Sequence, residues 1–109
     1  MPGIEKFLLS DFKLGWVVGN FSPSLMKSDQ VEVAVKYFKS GEVEPSHKQL
    51  VATELTIVVS GTIRLAENIY SEGEIIKIDP EIFADFEAIT DASLVCIKYP
   101  SLPNDKVLE

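Results

Sequence analysis

The chain has few of the residues that form cross-links or bind nucleic acid, and it has no membrane-spanning run. It contains one cysteine, Cys96, so no internal disulfide can form, and a reducing cytoplasm is the expected compartment. Basic residues number 10 against 17 acidic ones, and the net charge of −7 argues against nucleic acid or an anionic membrane as a partner. No apolar stretch approaches the roughly 20 residues that cross a bilayer. The start, MPGIEKFLLSDF, also lacks the basic and apolar regions of a secretory signal.

The length and composition favour one packed domain. The chain has 109 residues, of which 46% are hydrophobic, which suits a single globular core. Short strand patterns recur about every eight to twelve residues and no long helical pattern interrupts them, so the predicted fold class is all-β, a sandwich or a barrel. We expect a single domain over residues 1–109. Residues 1–29 would be a strand and loop segment packing on the barrel, residues 30–99 the barrel core and residues 100–109 a tail.

Two segments carry the clearest strand patterns. Residues 30–39, QVEVAVKYFK, alternate, and valines together with Tyr37 make one side strongly apolar. Residues 53–59, TELTIVV, are rich in β-branched side chains, and both of their faces are expected to be buried. One face would meet the interior, and the other would meet either another part of the chain or a second copy in a homodimer. Ser60 and Gly61 then predict a hairpin turn into a return strand.

The remaining segments are shorter. Further strands are predicted around Trp16, at 74–78, at 84–89 and at 93–99, with turns at 66–68 and 71–74. Trp16 and Phe21 are interpreted as anchors at one end of the core or as part of a pocket wall. Cys96, on an apolar strand, is expected to be an inert buried thiol.

The stretch GEVEPSHKQLVATELTIVVSG contains the only histidine of the chain. Its spacing resembles the first sequence motif of the cupin superfamily. That motif is a glycine, five residues, His-x-His, three or four residues, a glutamate, six residues and a glycine. Gly41, His47, Glu54 and Gly61 fall in register with it, and Gln49 stands where the second histidine would be.

The resemblance continues beyond this motif. The second cupin motif begins with a glycine that Gly73 matches, but its histidine position falls on Ala84 and its asparagine position on Ala88. The segments GWVVGNFSPSL, VEVAVKYFKSGE and DFEAITD resemble those of small stand-alone cupin-domain proteins. The resemblance implies an RmlC-like double-stranded β-helix, the jelly-roll barrel of cupins, and it names no activity.

The same resemblance identifies the candidate metal set. Metal-binding cupins use two histidines and a glutamate of the first motif and a histidine of the second, which correspond here to His47, Gln49, Glu54 and Ala84. An amide oxygen is a poor ligand for transition metals, and alanine supplies no donor. The expectation is therefore either no cofactor, with a hydrogen-bonded polar cluster at the site, or a weakly bound divalent metal ion.

Three functions are compatible with these residues. The first is a module that binds a small polar ligand, sugar-like or a carboxylate, near His47, Gln49, Glu54 and Thr56, with Arg64 adding a polar contact. The second is a metal-independent or weakly metal-dependent sugar or sugar-nucleotide isomerase or epimerase. In it His47 would be the catalytic acid or base, because imidazole exchanges protons readily near neutral pH, and Glu54 would orient it. The third is a structural homodimer with a relic site.

Overall fold

The computed structural model describes residues 2–109, which fold almost entirely as β-strands in two sheets. Two short 3₁₀ turns, Leu9–Asp11 and Lys13–Gly15, precede the first strand. The described residues contain no helix long and apolar enough to cross a membrane. The strands are β1 Trp16–Gly19, β2 Met26–Lys27, β3 Glu32–Phe38, β4 Val43–Gln49, β5 Thr53–Ser60, β6 Thr62–Leu65, β7 Asn68–Ser71, β8 Ile75–Ile78, β9 Ala84–Ala88, β10 Ala92–Tyr99 and β11 Lys106–Leu108.

From β3 onward the chain alternates between the two sheets, except that β6 and β7 follow one another in the same sheet. One sheet has six strands in the order β2-β1-β3-β10-β5-β8, and the other has five in the order β11-β4-β9-β6-β7. Neighbouring strands are antiparallel except β1 and β2, which are parallel. This confirms the predicted all-β class, and most of the predicted strands lie within one or two residues of their observed bounds. The tail after residue 99 wraps back and adds β11 to the edge of β4.

The core lies between the two sheets and fills only part of the barrel. Phe38 and Phe86 meet across the interior with ring centroids 4.6 Å apart. Small and medium apolar side chains complete this cluster, and their removal from water supplies the main driving force for folding. The buried residues of the cluster are Ala34, Val58, Ile63, Phe86, Ala88, Ala92, Leu94 and Cys96.

The prediction of a hairpin at Ser60–Gly61 is wrong. β5 pairs with β10 and β8, whereas β6 pairs with β7 and β9, so Gly61 carries the chain from one sheet to the other. Gly61 has φ +84°, and a Cβ at this position would lie 2.1 Å from the Asp91 carbonyl oxygen. The sequence marked the turn correctly, but a turn signal does not say which strands pair across it. A tight hairpin is formed one turn later, between β6 and β7.

The apolar side of β3 faces outward. Ala34 is fully buried and Phe38 packs on the core, so the side chains that share their face, Glu32 and Lys36, also point into the barrel. Tyr37, on the valine side, is 70% exposed. Alternation fixes which residues share a face but not which face meets the core. This orientation places charged side chains inside the barrel.

The C-terminal tail is held by a buried carboxylate. Asp105 is 8% exposed and accepts hydrogen bonds from the backbone N–H groups of Val51 and Ala52, both at 2.9 Å. Charge-assisted bonds of this kind contribute roughly 1.5–3 kcal/mol each. They fix the turn between β4 and β5 from which the candidate site residues extend.

Candidate functional site

A β-bulge in β4 turns two polar side chains into the barrel. Glu44 is paired with Phe86 and His47 with Ala84, so three steps along β4 correspond to two along β9. The extra residue restores the inward direction after Pro45, which has no backbone N–H to place in the ladder. Glu44 and His47 therefore line the same cavity, although strict alternation would place them on opposite faces.

A row of alternating charges crosses the inner face of the six-stranded sheet. Glu32, Lys98 and Glu54 occupy directly neighbouring positions on β3, β10 and β5. The Lys98 Nζ lies 4.0 Å from Glu54 Oε1, and the two side chains are 13% and 14% exposed. Glu32 accepts a hydrogen bond of 3.0 Å from the hydroxyl of Ser101, which is itself 1% exposed. The inner face of this sheet is thus charged rather than apolar at these positions.

A second lysine approaches the same place from the other end of β3. Lys36 Nζ lies 3.7 Å from Glu44 Oε2 and 5.2 Å from the centroid of the Trp16 ring, while Lys98 Nζ lies 4.9 Å from that centroid. Both ammonium groups therefore interact with the π-system of one indole. Trp16 also packs on the core cluster and meets Phe21 edge to face, so it acts both as an anchor and as a pocket wall.

These side chains surround a cavity of about 180 Å³ inside the barrel. Apolar walls come from Phe86 and Leu94, among others, and Thr56 and Cys96 lie between them and the charged row. Burial raises the pKa of the Cys96 thiol to about 11, with the nearby Glu54 carboxylate adding to the effect, so this thiol is protonated at neutral pH. The charged lining residues are Glu32, Glu44, Glu54, Lys36, Lys98 and Lys106, joined by His47.

His47, Gln49 and Glu54 come together around a small recess of about 20 Å³ next to this cavity. His47 Nδ1 lies 3.1 Å from the carbonyl oxygen of Pro45. Since a carbonyl can only accept, Nδ1 donates the proton in that bond, and in the neutral ring Nε2 is then the acceptor. Gln49 is 7% exposed, and its amide nitrogen has no hydrogen-bond partner in residues 2–109. The trio predicted from spacing is thus assembled, with one donor unused.

Arg64 does not join this cluster. Its guanidinium binds Asp85 through two hydrogen bonds of 3.1 and 3.0 Å, reaches Glu87 at 3.5 Å and donates to the Ala66 carbonyl oxygen. The hydrogen bond from Arg64 lowers the pKa of the Asp85 carboxyl below its ordinary value. Arg64 is engaged on the outer side of β6, while Thr56, the other predicted contact residue, lies on the cavity wall.

The residues present do not fit a tightly held metal ion. Residues 2–109 contain no group of three histidine, cysteine, aspartate or glutamate side chains placed to share one ion. Ala84 lies opposite His47 in the ladder, where the family pattern has a further ligand, and it offers no donor. The two lysines close to Glu44 and Glu54 supply positive charge to these carboxylates instead. We therefore assign no chemical step at this site to a metal.

Sequence reasoning offered Trp16 as part of a pocket wall but missed Lys36, Lys98 and Glu44 as site residues. The alternation of residues 30–39 already placed Lys36 on one face with Glu32 and Ala34, and that signal would have sufficed had the inward face been known. Lys98 follows from its ladder position beside Glu54, and Glu44 from the bulge, neither of which a single sequence reveals.

A larger open groove lies at the edge of β3, beneath the N-terminal 3₁₀ turns. It encloses about 580 Å³ and is lined mainly by apolar side chains, including Leu9, Phe12 and Leu14. It includes neither His47 nor Lys98, so convergent polar groups, the usual mark of a specific site, are fewer here than in the barrel cavity.

Comparison with known proteins identifies structures of similar architecture. No protein-family model and no curated protein sequence matches the chain. Among solved structures, KdgF from Halomonas sp. superposes with a TM-score of 0.65 at 15% identity, covering 71% of this chain and 74% of that one. A conserved protein with a double-stranded beta-helix domain from Klebsiella pneumoniae gives a TM-score of 0.65 at 16% identity, covering 77% and 78%.

Enzymes are also among the structural neighbours. DMSP lyase DddQ from Ruegeria pomeroyi gives a TM-score of 0.71 at 14% identity over 85% of this chain, which spans 49% of that protein. An RmlC-like cupin from Shewanella frigidimarina gives a TM-score of 0.63 at 14% identity, covering 67% and 68%. Likeness at these identities establishes the fold and leaves the activity open. The chain therefore has the cupin fold, an RmlC-like double-stranded β-helix.

Proposed function

We propose that the barrel cavity binds a small polar molecule, sugar-like or a carboxylate, between the charged row and the His47–Gln49–Glu54 recess. The observation that carries this proposal is the cavity of about 180 Å³ whose lining holds three glutamates, three lysines and a histidine. Ionic side chains inside a fold cost desolvation energy that apolar packing would avoid, so a site of this kind is more readily explained by a polar ligand than by stability.

The unused amide nitrogen of Gln49 supports the same proposal. Leaving a buried donor without an acceptor costs roughly 1–3 kcal/mol, and a ligand oxygen in the recess would remove that cost. His47 Nε2 would add an acceptor for a ligand hydroxyl. Fold neighbours that include enzymes and other cupins are consistent with a ligand in the barrel.

The two alternative functions receive less support. A sugar nucleotide would have to extend out of a cavity of about 180 Å³, and Arg64, the arginine that could meet its phosphates, is engaged by Asp85. An isomerase acting on a small sugar would still use His47 and Glu54, so it remains a special case of the proposed binding site. A relic site would leave the desolvation cost of the paired charges in the interior without a ligand to offset it.

Titration of the intrinsic fluorescence of Trp16, the only tryptophan, tests this proposal directly because its ring forms part of the cavity wall. We expect at least one small sugar or carboxylate to change the emission saturably. His47→Ala should lower the affinity for that ligand about tenfold or more, which corresponds to a loss of roughly 1.4 kcal/mol of binding free energy.

Ser46→Ala serves as the matched control, since the Ser46 hydroxyl contacts Glu109 rather than the cavity. Its affinity should equal that of the wild type, and prior dialysis against EDTA should leave binding unchanged. An affinity that is the same in His47→Ala and in the wild type would remove the proposed site.

A further inference from the structure

We infer that the ligand is a small hydroxycarboxylate, whose anionic group is held by the ammonium groups of Lys36 and Lys98 over the face of Trp16. This inference rests on the proposed function and specifies its ligand class. It comes from the hydrogen-bonding state of the side chains in the cavity, which determines the groups that a ligand has to supply.

The two ammonium groups have unused donors. Lys36 and Lys98 are 18% and 13% exposed, yet neither Nζ makes a hydrogen bond to any group in residues 2–109. Their carboxylate neighbours, at 3.7 and 4.0 Å, are at ion-pair distance but beyond the 2.7–3.2 Å range typical of a hydrogen bond. Each ammonium carries three N–H donors, so the cavity presents a concentrated group of donors to which residues 2–109 supply no hydrogen-bond acceptor.

The glutamates lack hydrogen-bond donors, where the lysines lack acceptors. An ionised carboxylate can only accept, and the oxygens of Glu44 and Glu54 that face the lysines receive no hydrogen bond from them. Glu32 is already bound by Ser101. A ligand that fits this wall therefore offers an anionic acceptor to the lysines and hydroxyl donors to Glu44 and Glu54. An α-hydroxy acid carries both groups on adjacent carbon atoms.

The volume of the cavity limits the size of the ligand. A cavity of about 180 Å³ is smaller than the roughly 300–1,000 Å³ of typical ligand pockets, so it suits a small molecule such as a short hydroxy acid. The apolar walls at Phe86 and Leu94 would take its carbon skeleton.

Three matched probes separate the chemical requirements: glycerate, which has both groups, glycerol, which lacks the charge, and propionate, which lacks the hydroxyls. We expect Trp16 fluorescence to report glycerate binding at least about tenfold tighter than either of the others. Lys36→Met and Lys98→Met, which keep side-chain length but remove the charge, should reduce the glycerate affinity about tenfold or more and leave glycerol unchanged. Lys39→Met, at an exposed position outside the cavity, should behave as the wild type.

The outcomes distinguish this inference from the proposal on which it rests. Glycerol that binds as tightly as glycerate to the wild-type protein would overturn the anion assignment while leaving a polar-ligand site in place. The anion assignment would also be overturned, with the polar-ligand site left in place, if an uncharged sugar bound saturably and the His47→Ala substitution abolished that binding. No response to any of the three probes or to the wider panel of sugars and acids would overturn both. The comparison of probes on the wild type does not depend on the folding of the variants.

Discussion

Cys96 shows at the scale of one residue how burial changes chemistry. Its thiol has a pKa of about 11 against an ordinary value of 9.0, because the barrel interior disfavours the thiolate. Between these two values the folded protein keeps a proton that the unfolded chain has lost. The free energy of unfolding therefore falls as pH rises through this window, and it does so by up to roughly 3 kcal/mol.

Urea unfolding at pH 8 and pH 10.5 measures this effect. The wild type should lose about 2 kcal/mol more stability between the two values than Cys96→Ala, which has no thiol to titrate. The comparison between the two proteins cancels the titration of lysines and tyrosines that both contain. If both proteins lose the same unfolding free energy between pH 8 and pH 10.5, the Cys96 thiol is not buried away from water as the structure shows.

At the scale of one element, Gly61 joins the two sheets at a point where the chain passes close to the β9–β10 loop. A methyl group there would meet the Asp91 carbonyl oxygen at 2.1 Å and the Ala92 Cα at 2.9 Å. We expect Gly61→Ala to cost at least about 3 kcal/mol, since it combines left-handed strain with a clash against backbone that cannot move aside.

Gly73→Ala is the control for this substitution. Gly73 has nearly the same backbone angle, φ +87°, but no atom lies within 4 Å of the position that a Cβ would take there. It should therefore cost only the left-handed strain, about 1 kcal/mol. If urea unfolding gives the same loss for both variants, the close approach of the two loops is not what requires glycine at position 61.

At the scale of the whole molecule, the outer face of the six-stranded sheet is only partly covered, and its apolar side chains are half-buried. The outward positions of β3, β10 and β5 include Val33, Val35, Val95, Ile97 and Ile57. No outward side chain of these three strands is charged, although 25% of the residues in the chain are charged. Three neighbouring strands of about seven residues make a face of roughly 14 Å by 23 Å, so an interface of standard size, roughly 800 Å² per partner, would also include the flanking strands β1 and β8.

We propose that a second copy of the chain covers this face in a two-fold homodimer. Two copies that each carry a charge of −7 repel one another, and a contact surface free of carboxylates is where that repulsion is least. An isologous dimer also requires one self-complementary patch, and a flat apolar sheet satisfies that condition.

Light scattering coupled to size-exclusion chromatography tests the dimer. The wild type should have twice the mass of one chain, and Ile57→Lys should be a folded monomer, because a buried unpaired charge opposes association. Val43→Lys, at a 67% exposed position on the other sheet, should remain dimeric. A monomeric wild type at tens of micromolar would end this proposal.

Local sequence features determined much of this protein before any tertiary structure. The all-β class, most strand positions, the turn at Gly61 and the buried state of Cys96 follow from β-branched runs, alternation and turn residues, which act over a few neighbouring residues. The spacing of His47, Gln49 and Glu54 predicted which three side chains would line the recess, but β4 and β5 lie in different sheets, so their approach depends on how the two sheets pack.

Only the tertiary structure decided which way the sheets face and which strands meet. The inward turn of Lys36 and Glu32, the place of Lys98 beside Glu54 and the bulge that brings in Glu44 all depend on pairings between strands far apart in the chain. Alternation is symmetric between the two faces, so it cannot distinguish a charged interior from a charged exterior. The ionic lining of the cavity is therefore a property of the assembled barrel, although every residue that forms it is visible in the sequence.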